Sequence, residues 1–350
     1  MADDEVNVNR MNKDKEVTIY DLAEKLNISV ATVSRALKDD PVVSKKTRKK
    51  IFDLAEEMGY RSNHFARNLR NQRTDTIGVI VPRLNSYFMS TVIAGIEQVA
   101  NSQGYNLIIS QSSEAAEREV LSARTMFNNR VDGLLVSLAY DSDNIDHFSS
   151  FFKKGIPLLF FDRVAEHEHV TNVCIDNRRA AFDATRHLID RGCKRIVHIT
   201  ARSNRNVYTD RLHGYRQALL EHGLPFDENL VIYNNLSQEA GYTAAAQILD
   251  MPVLPDGVFV TNDNCAASCM LGLKKKGIAI PADIAFAGFN NDPVSTVVEP
   301  NLTTINYPGY EMGEVAARHL INHLNGAALI TATNTILLRS ELIIRESSLR

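Results

Sequence analysis

From Thr76 onward the chain alternates short apolar runs with stretches of helical periodicity, and this alternation limits its fold more than any other feature. The runs are TIGVIV (76–81), YNLIIS (105–110), VDGLLVS (131–137), IPLLFFD (156–162), NVCID (172–176), RIVHIT (195–200), GVFVTND (257–263), IAFAGFN (284–290) and LTTIN (302–306). Near-continuous apolar runs suit strands covered on both faces, and the intervening helical stretches supply the covers. Such βαβ repetition builds parallel sheets. One sheet would not hold every run, so two doubly wound lobes are expected.

The chain has 350 residues, too many for one core, so a modular protein is expected. At 44% apolar and 23% charged residues its composition is that of an ordinary soluble globular protein. The start, MADDEVNVNRMNKDKE, carries acids and no apolar core, and no stretch approaches ~20 consecutive apolar residues. A cytoplasmic protein with no membrane contact is the expectation. Cys174, Cys193, Cys265 and Cys269 form no CxxC pair and are read as reduced, with Cys265 and Cys269 as small apolar core groups. The run Glu166-His167-Glu168-His169 reads as a solvated loop, because adjacent residues in an extended segment point in alternate directions and no further Cys/His spacing supports a metal.

The formal charge of −3 conceals an asymmetry. Residues 17–73 carry 12 Lys/Arg against 7 Asp/Glu, whereas residues 1–16 have a net charge of −2 and the rest of the chain −6. A basic module therefore precedes an acidic body. In that module Thr18 precedes Ile19, Leu22, Ala23 and Leu26 at i, i+3, i+4, i+7, with Asp21 completing an acidic variant of a capping box. Asn27-Ile28-Ser29 interrupts this helix, and Ser29 caps a second with Val33, Ala36 and Leu37 inside. Two helices joined by so tight a turn make a helix-turn-helix. Ser44 caps a third, burying Ile51, Leu54, Ala55 and Met58 and ending at Gly59.

The outward positions of the second helix are Val30, Ala31, Ser34 and Arg35, and the N-terminal part of that helix enters the major groove in this motif. The Arg35 fork can bond guanine O6 and N7 together, whereas Val30 and Ala31 can offer a thymine methyl only van der Waals contact. Thr32, Ser34 and the Lys45-Lys46-Thr47-Arg48-Lys49-Lys50 cluster suit phosphates, which position a protein without specifying sequence.

The segment VTIYDLAEKLNISVATVSRALKDDPVVSKKTRKKIFDLAEEMGYRSNHFARNL (17–69) resembles the headpiece of LacI/GalR transcription regulators throughout. The resemblance implies base contacts from Val30, Ala31 and Arg35, and phosphate contacts from Thr18, Tyr20, Thr32, Ser34 and Asn63. It further implies that residues 63–70 are a hinge helix that folds on the operator, with Leu69 as a wedge that kinks the duplex from the minor groove. Ser62 stands where the family usually has proline. The expected organisation is a flexible tail (1–16), a small all-α helix-turn-helix domain (17–61), hinge helix and linker (62–74) and a periplasmic-binding-protein-like α/β body. Its first lobe would comprise 75–175 and 304–325 and its second 176–303 and 326–350, with crossovers near Ile175/Asp176, Thr304 and Gly326.

Ligands of open α/β sheets bind beyond the carboxyl ends of the strands. Asp162, Asn262-Asp263 and Asn290-Asn291-Asp292 stand at such ends. Carboxylates, amides and the Arg211 guanidinium can bind sugar hydroxyls while Tyr87 and Phe88 lie against an apolar sugar face. The resemblance assigns effector contacts to Asp162, Arg211 and Asp263, with aromatic contact from Tyr87 and Phe88.

The implied protein is a homodimeric repressor of palindromic operator DNA, controlled by a sugar or sugar phosphate held between the lobes, with no cofactor and no metal. A regulator answering to a protein corepressor is the alternative, disfavoured by the retained Arg211. Enzyme readings lack their fingerprints, since no GxGxxG follows the first strand and neither GxxxxGK[ST] nor GxSxG is present. A periplasmic sugar-binding protein would carry a signal peptide and no helix-turn-helix.

Overall fold

The structure, a computed structural model, describes residues 17–60, 73–202, 204–330 and 333–350. They fall into two compact units divided between Thr74 and Asp75. In the first, helices α1 (Ile19–Leu26), α2 (Val30–Ala36) and α3 (Lys45–Glu57) enclose one small core. Each start is set locally. The Thr18 and Asp21 side chains cap each other's backbone N–H groups, while the Ser29 and Ser44 hydroxyls accept from the N–H of Thr32 and Thr47. Asn27, at φ 51°, turns α1 sharply toward α2, a left-handed conformation Asn tolerates better than most residues. Eight residues are buried in this core, among them Leu22, Val33, Ala36, Ile51 and Leu54, with Leu37 and Met58 at its edge.

The second unit contains two six-stranded sheets. The first begins with β1 (Thr76–Val81), α4 (Tyr87–Ser102), β2 (Asn106–Gln111), α5 (Ala116–Asn128), β3 (Gly133–Val136), α6 (Ser149–Lys154), β4 (Leu158–Phe161) and β5 (Thr171–Ile175). The second begins with α7 (Asn177–Asp190), β6 (Ile196–Thr200), α8 (Asn206–Glu221), β7 (Val231–Tyr233), α9 (Gln238–Leu249), β8 (Gly257–Val260), α10 (Asp263–Lys274), β9 (Ala285–Asn290), α11 (Val294–Val297) and β10 (Thr303–Asn306). The chain then returns to the first lobe with α12 (Gly309–Leu324) and β11 (Thr335–Leu338), and ends in the second with β12 (Glu341–Ile343). The strand orders are β11-β5-β4-β3-β1-β2 and β12-β10-β9-β8-β6-β7, parallel throughout except for the antiparallel β10–β12 pair.

Two expectations about lobe boundaries need correcting. Residues 304–306 belong to the second sheet, where Thr304 to Asn306 register with Gly288 to Asn290. Residues 326–338 belong to the first lobe. Gly326, at φ 73°, only ends α12, and β11 then pairs with β5 along Asn172–Ile175, covering what would otherwise be an exposed edge. The third crossing therefore follows Leu338. Helix α12 lies so close to α4 that a Cβ on Gly313 would stand 2.0 Å from the Val92 carbonyl oxygen, and one on Gly95 2.1 Å from that of Tyr310. No described helix is long and apolar enough to cross a membrane.

Candidate functional sites: a DNA-reading helix and an interlobe cleft

On α2 the Ser29 cap leaves the first turn facing outward, with Ala31 and Arg35 exposed and Thr32 and Ser34 half-buried. Val30 also packs partly against the headpiece core, which limits what it can present to a base edge. Tyr20 is 69% exposed on α1, and the Thr18 hydroxyl donates to Asp21. These residues share one small unit, with Arg35 the exposed guanidinium of α2. Arg48 departs from the phosphate-binding expectation, because its guanidinium pairs with the Asp39 carboxylate and donates to the Asp39 carbonyl at 3.0 Å. Lys45, Lys46, Lys49 and Lys50 remain exposed along α3. Asn63 and Leu69 lie outside the described residues.

The body holds a cleft of about 890 Å³ between its lobes, at the carboxyl ends of the strands. In both sheets the strand order reverses at the first strand, between β1 and β3 and between β6 and β8, so the segments following these strands splay apart and leave a crevice. Asp162 stands at the end of β4 with φ 60° and is almost fully buried. Its Oδ1 accepts from the Tyr307 hydroxyl at 2.6 Å and its Oδ2 from Ser137 Oγ at 3.0 Å, while Asn206 Nδ2 donates to its carbonyl at 3.0 Å. Burial and the Asp162 charge raise the Tyr307 pKa well above the ordinary phenol range, so Tyr307 keeps the proton it donates. Tyr307 stacks on Phe88 with ring centroids 4.2 Å apart.

Arg211 enters from α8. Its Nε donates to Asn177 Oδ1 at 2.9 Å, an η nitrogen donates to the Thr261 carbonyl at 3.2 Å, and its guanidinium lies 3.6 Å from the Phe289 ring centroid. Burial pulls its pKa down, against the stabilising charge of Asp162. Tyr87, Phe88, Asp162 and Arg211 thus meet in one place. Phe88, however, is buried beneath Tyr307, whereas Tyr87 is half exposed.

Asp263 does not join them at the surface of the cleft. As the first residue of α10 it turns beneath the helix toward the sheet, where its Oδ1 accepts from Thr304 Oγ1 at 2.7 Å and its Oδ2 from the Asp292 N–H at 2.8 Å. A Cβ on Gly288 would lie 2.2 Å from Oδ1, so the carboxylate occupies space only glycine leaves open. Burial pushes its pKa up to about 7. Its neighbours Asn262 and Asn264, with Asn290 and Asp292, line the cleft instead.

Sequence reasoning also missed a network across the lobes. Arg163 donates to Glu114 Oε1 at 3.2 Å and to the Tyr208 hydroxyl at 2.9 Å, and Arg83 Nε donates to the same Glu114 oxygen at 3.1 Å. Tyr208 and Glu114 outweigh burial and raise the Arg163 pKa, so it stays cationic. The Tyr140 hydroxyl donates to the Arg202 carbonyl from the opposite lobe. Only the position of Arg163 beside a strand-end Asp hinted at this. All four cysteines are buried and free, and no group of ligands fit to hold a metal occurs among the described residues.

A helix-turn-helix carrying an exposed arginine, in one chain with a two-lobed cleft of buried polar groups, defines a DNA-binding regulator with a ligand-sensing body. Residues 18–63 match the bacterial regulatory proteins of the lacI family, and residues 185–348 match the periplasmic binding protein-like domain. Catabolite control protein A of Priestia megaterium is 33% identical over 312 residues, covering 88% of this chain and 93% of that protein. The HTH-type transcriptional repressor CytR of Escherichia coli (strain K12) is 33% identical over 334 residues, 95% of this chain and 96% of its own. Among solved structures, a complex of the transcriptional regulator CelR with cellobiose is similar with a TM-score of 0.71 and 27% identity, covering 95% of this chain and all of that one. The chain belongs to the LacI family of DNA-binding transcription regulators. These relatives are transcription regulators, not enzymes.

Proposed function

We propose that the protein is a cytoplasmic, homodimeric repressor that reads a palindromic operator through α2 and is controlled by a small sugar-like effector bound between its lobes. The observation that carries this reading is the convergence of Asp162, Tyr307 and Arg211 in one cleft, with Arg211 backed by the buried Phe289 ring, in a chain that also presents Arg35 on a capped, outward-facing helix. Side chains that both accept and donate, set beside aromatic faces, suit polyhydroxylated ligands. Arg35 takes the role of base reader, Ala31 and Val30 those of apolar contacts, and Thr18, Tyr20, Thr32 and Ser34 hold phosphates. Asn63 and Leu69 are assigned to phosphate contact and minor-groove wedge on the family resemblance alone.

One headpiece reads only a half-site, so two subunits are needed to read a palindrome. The test is selection of duplexes from a randomised pool, followed by titration of the enriched site over a range of salt. A palindromic site and a steep fall of affinity with salt are expected, because several Lys/Arg displace counterions. A log K against log salt slope near zero, or a monomer that saturates the palindrome, would contradict the reading.

A further inference from the structure

We propose that Asp292 determines the specificity of the cleft, selecting an uncharged polyol over its phosphorylated form. The proposal rests on the cleft being the effector site. Asp292 follows β9, is only 3% exposed, and lines the cleft. Its Oδ2 accepts from Asn264 Nδ2 at 3.1 Å and from Asn290 Nδ2 at 3.4 Å, whereas its Oδ1 is buried with no partner. A buried carboxylate oxygen left without a donor is costly, and a ligand that brings one removes that cost. A hydroxyl can do so. An ionised phosphate oxygen brings no donor.

Asp292 itself has no counter-ion among the described residues to share with a phosphate, since no Lys or Arg there makes an ion pair with it. Its nearest acidic neighbour, Asp263, lies behind it and accepts from its N–H. Of the guanidinium groups lining the cleft, Arg83 and Arg163 share Glu114, Arg202 lies 4.4 Å over the Tyr233 ring, and Arg211 is held by Asn177 and the Thr261 carbonyl over Phe289. Arg345 turns toward Asn291 Oδ1, at 2.7 Å, and away from Asp292. Burial already pushes the Asp292 pKa up to about 6, and the Asn290 amide only partly opposes this. A second anion alongside would have to force a proton onto Asp292 or be excluded. A polyol meets both requirements, since one hydroxyl can donate to Asp292 and another accept from Arg211.

The experiment is calorimetric titration of the full-length protein with glucose, ribose, cellobiose and the four ribonucleosides, each beside its monophosphate ester. The panel also tells sugars from nucleosides as sources of the diol. At least one neutral member should bind, its ester at least tenfold more weakly. Asp292→Asn should narrow that ratio to within about threefold, whereas Asp292→Glu, which keeps the carboxylate, should preserve the preference for the neutral member. A wild-type preference for an ester, or a ratio unmoved by Asp292→Asn, overturns the proposal while leaving the cleft as the effector site. Failure of every neutral member and every ester to bind overturns both.

Discussion

In the headpiece the groups assigned to DNA, Arg35, Ala31 and Tyr20, stand on the surface of a unit whose core is eight residues. In the body the corresponding groups are nearly all inside, with Asp162, Arg211 and Asp292 each more than nine-tenths buried and wired to strands, helices or aromatic rings. A duplex is large and brings its own charge, so exposed side chains on a rigid helix suffice to read it. A small ligand must be held by groups already stripped of water, and those groups become part of the core. Substitutions in the headpiece surface should therefore separate function from stability, and substitutions in the cleft should not.

The largest effects should come from the two cores. Ile51→Ala should destabilise the headpiece by about 3 kcal/mol, because so small a core cannot close the cavity. DNA binding should vanish while ligand binding by the body persists, measured by fluorescence anisotropy and calorimetry on the same protein. Gly313→Ala should cost the body about 3 kcal/mol by forcing α12 off α4, lowering the body's melting transition and leaving the headpiece transition in place. A single joint transition in both variants would break the distinction between the units.

On the headpiece surface, Arg35→Ala should lose about 1 to 3 kcal/mol of binding to the selected site and little on random DNA. Lys45→Ala should weaken both alike and reduce the salt slope. Equal loss on both duplexes for Arg35→Ala would show that it binds phosphate.

A pH signature distinguishes two buried groups of the body. His198 is fully buried between Tyr215 and Phe259, at 4.8 and 4.9 Å, and burial lowers its pKa to about 3. The unfolded chain, near 6.5, binds the proton first, so its contribution is complete above that pH and is lost as pH falls below it. Asp263 runs the other way. Its folded pKa of about 7 exceeds the unfolded value near 4, so its contribution is present at low pH and lost as pH rises toward 7. The two slopes oppose each other between about pH 4 and 6.5. Denaturant midpoints of the body relative to wild type should fall with rising pH in His198→Phe and with falling pH in Asp263→Asn. Parallel slopes in both variants would refute the assignment.

The same contrast explains what the sequence made legible. Headpiece helices could be read because each cap lies three residues from its target, as with Ser29 and Thr32 or Ser44 and Thr47. Asp162 was legible as a polar residue beside an apolar strand end, whereas Arg211, inside α8, was singled out only through the family resemblance. Asp263 was misread because one residue of rotation at the start of α10 decides whether Asn262, Asp263 or Asn264 faces the cleft, and the neighbouring strands decide that rotation. The bonds of Arg163 to Glu114 and Tyr208 span 49 and 45 residues, a separation no local pattern encodes. Strand β11 was missed because its side chains alternate between exposed and half-buried, which breaks the apolar run.

On the proposed function, occupation of the cleft governs reading by α2. This coupling is tested most directly by measuring, at fixed salt, the affinity of the full-length protein for its selected operator with and without a polyol that binds the cleft, and the affinity for that polyol with and without operator. Each should change the other by the same factor, on the order of 5 to 150-fold. A polyol that fills the cleft and leaves operator affinity unchanged would contradict it.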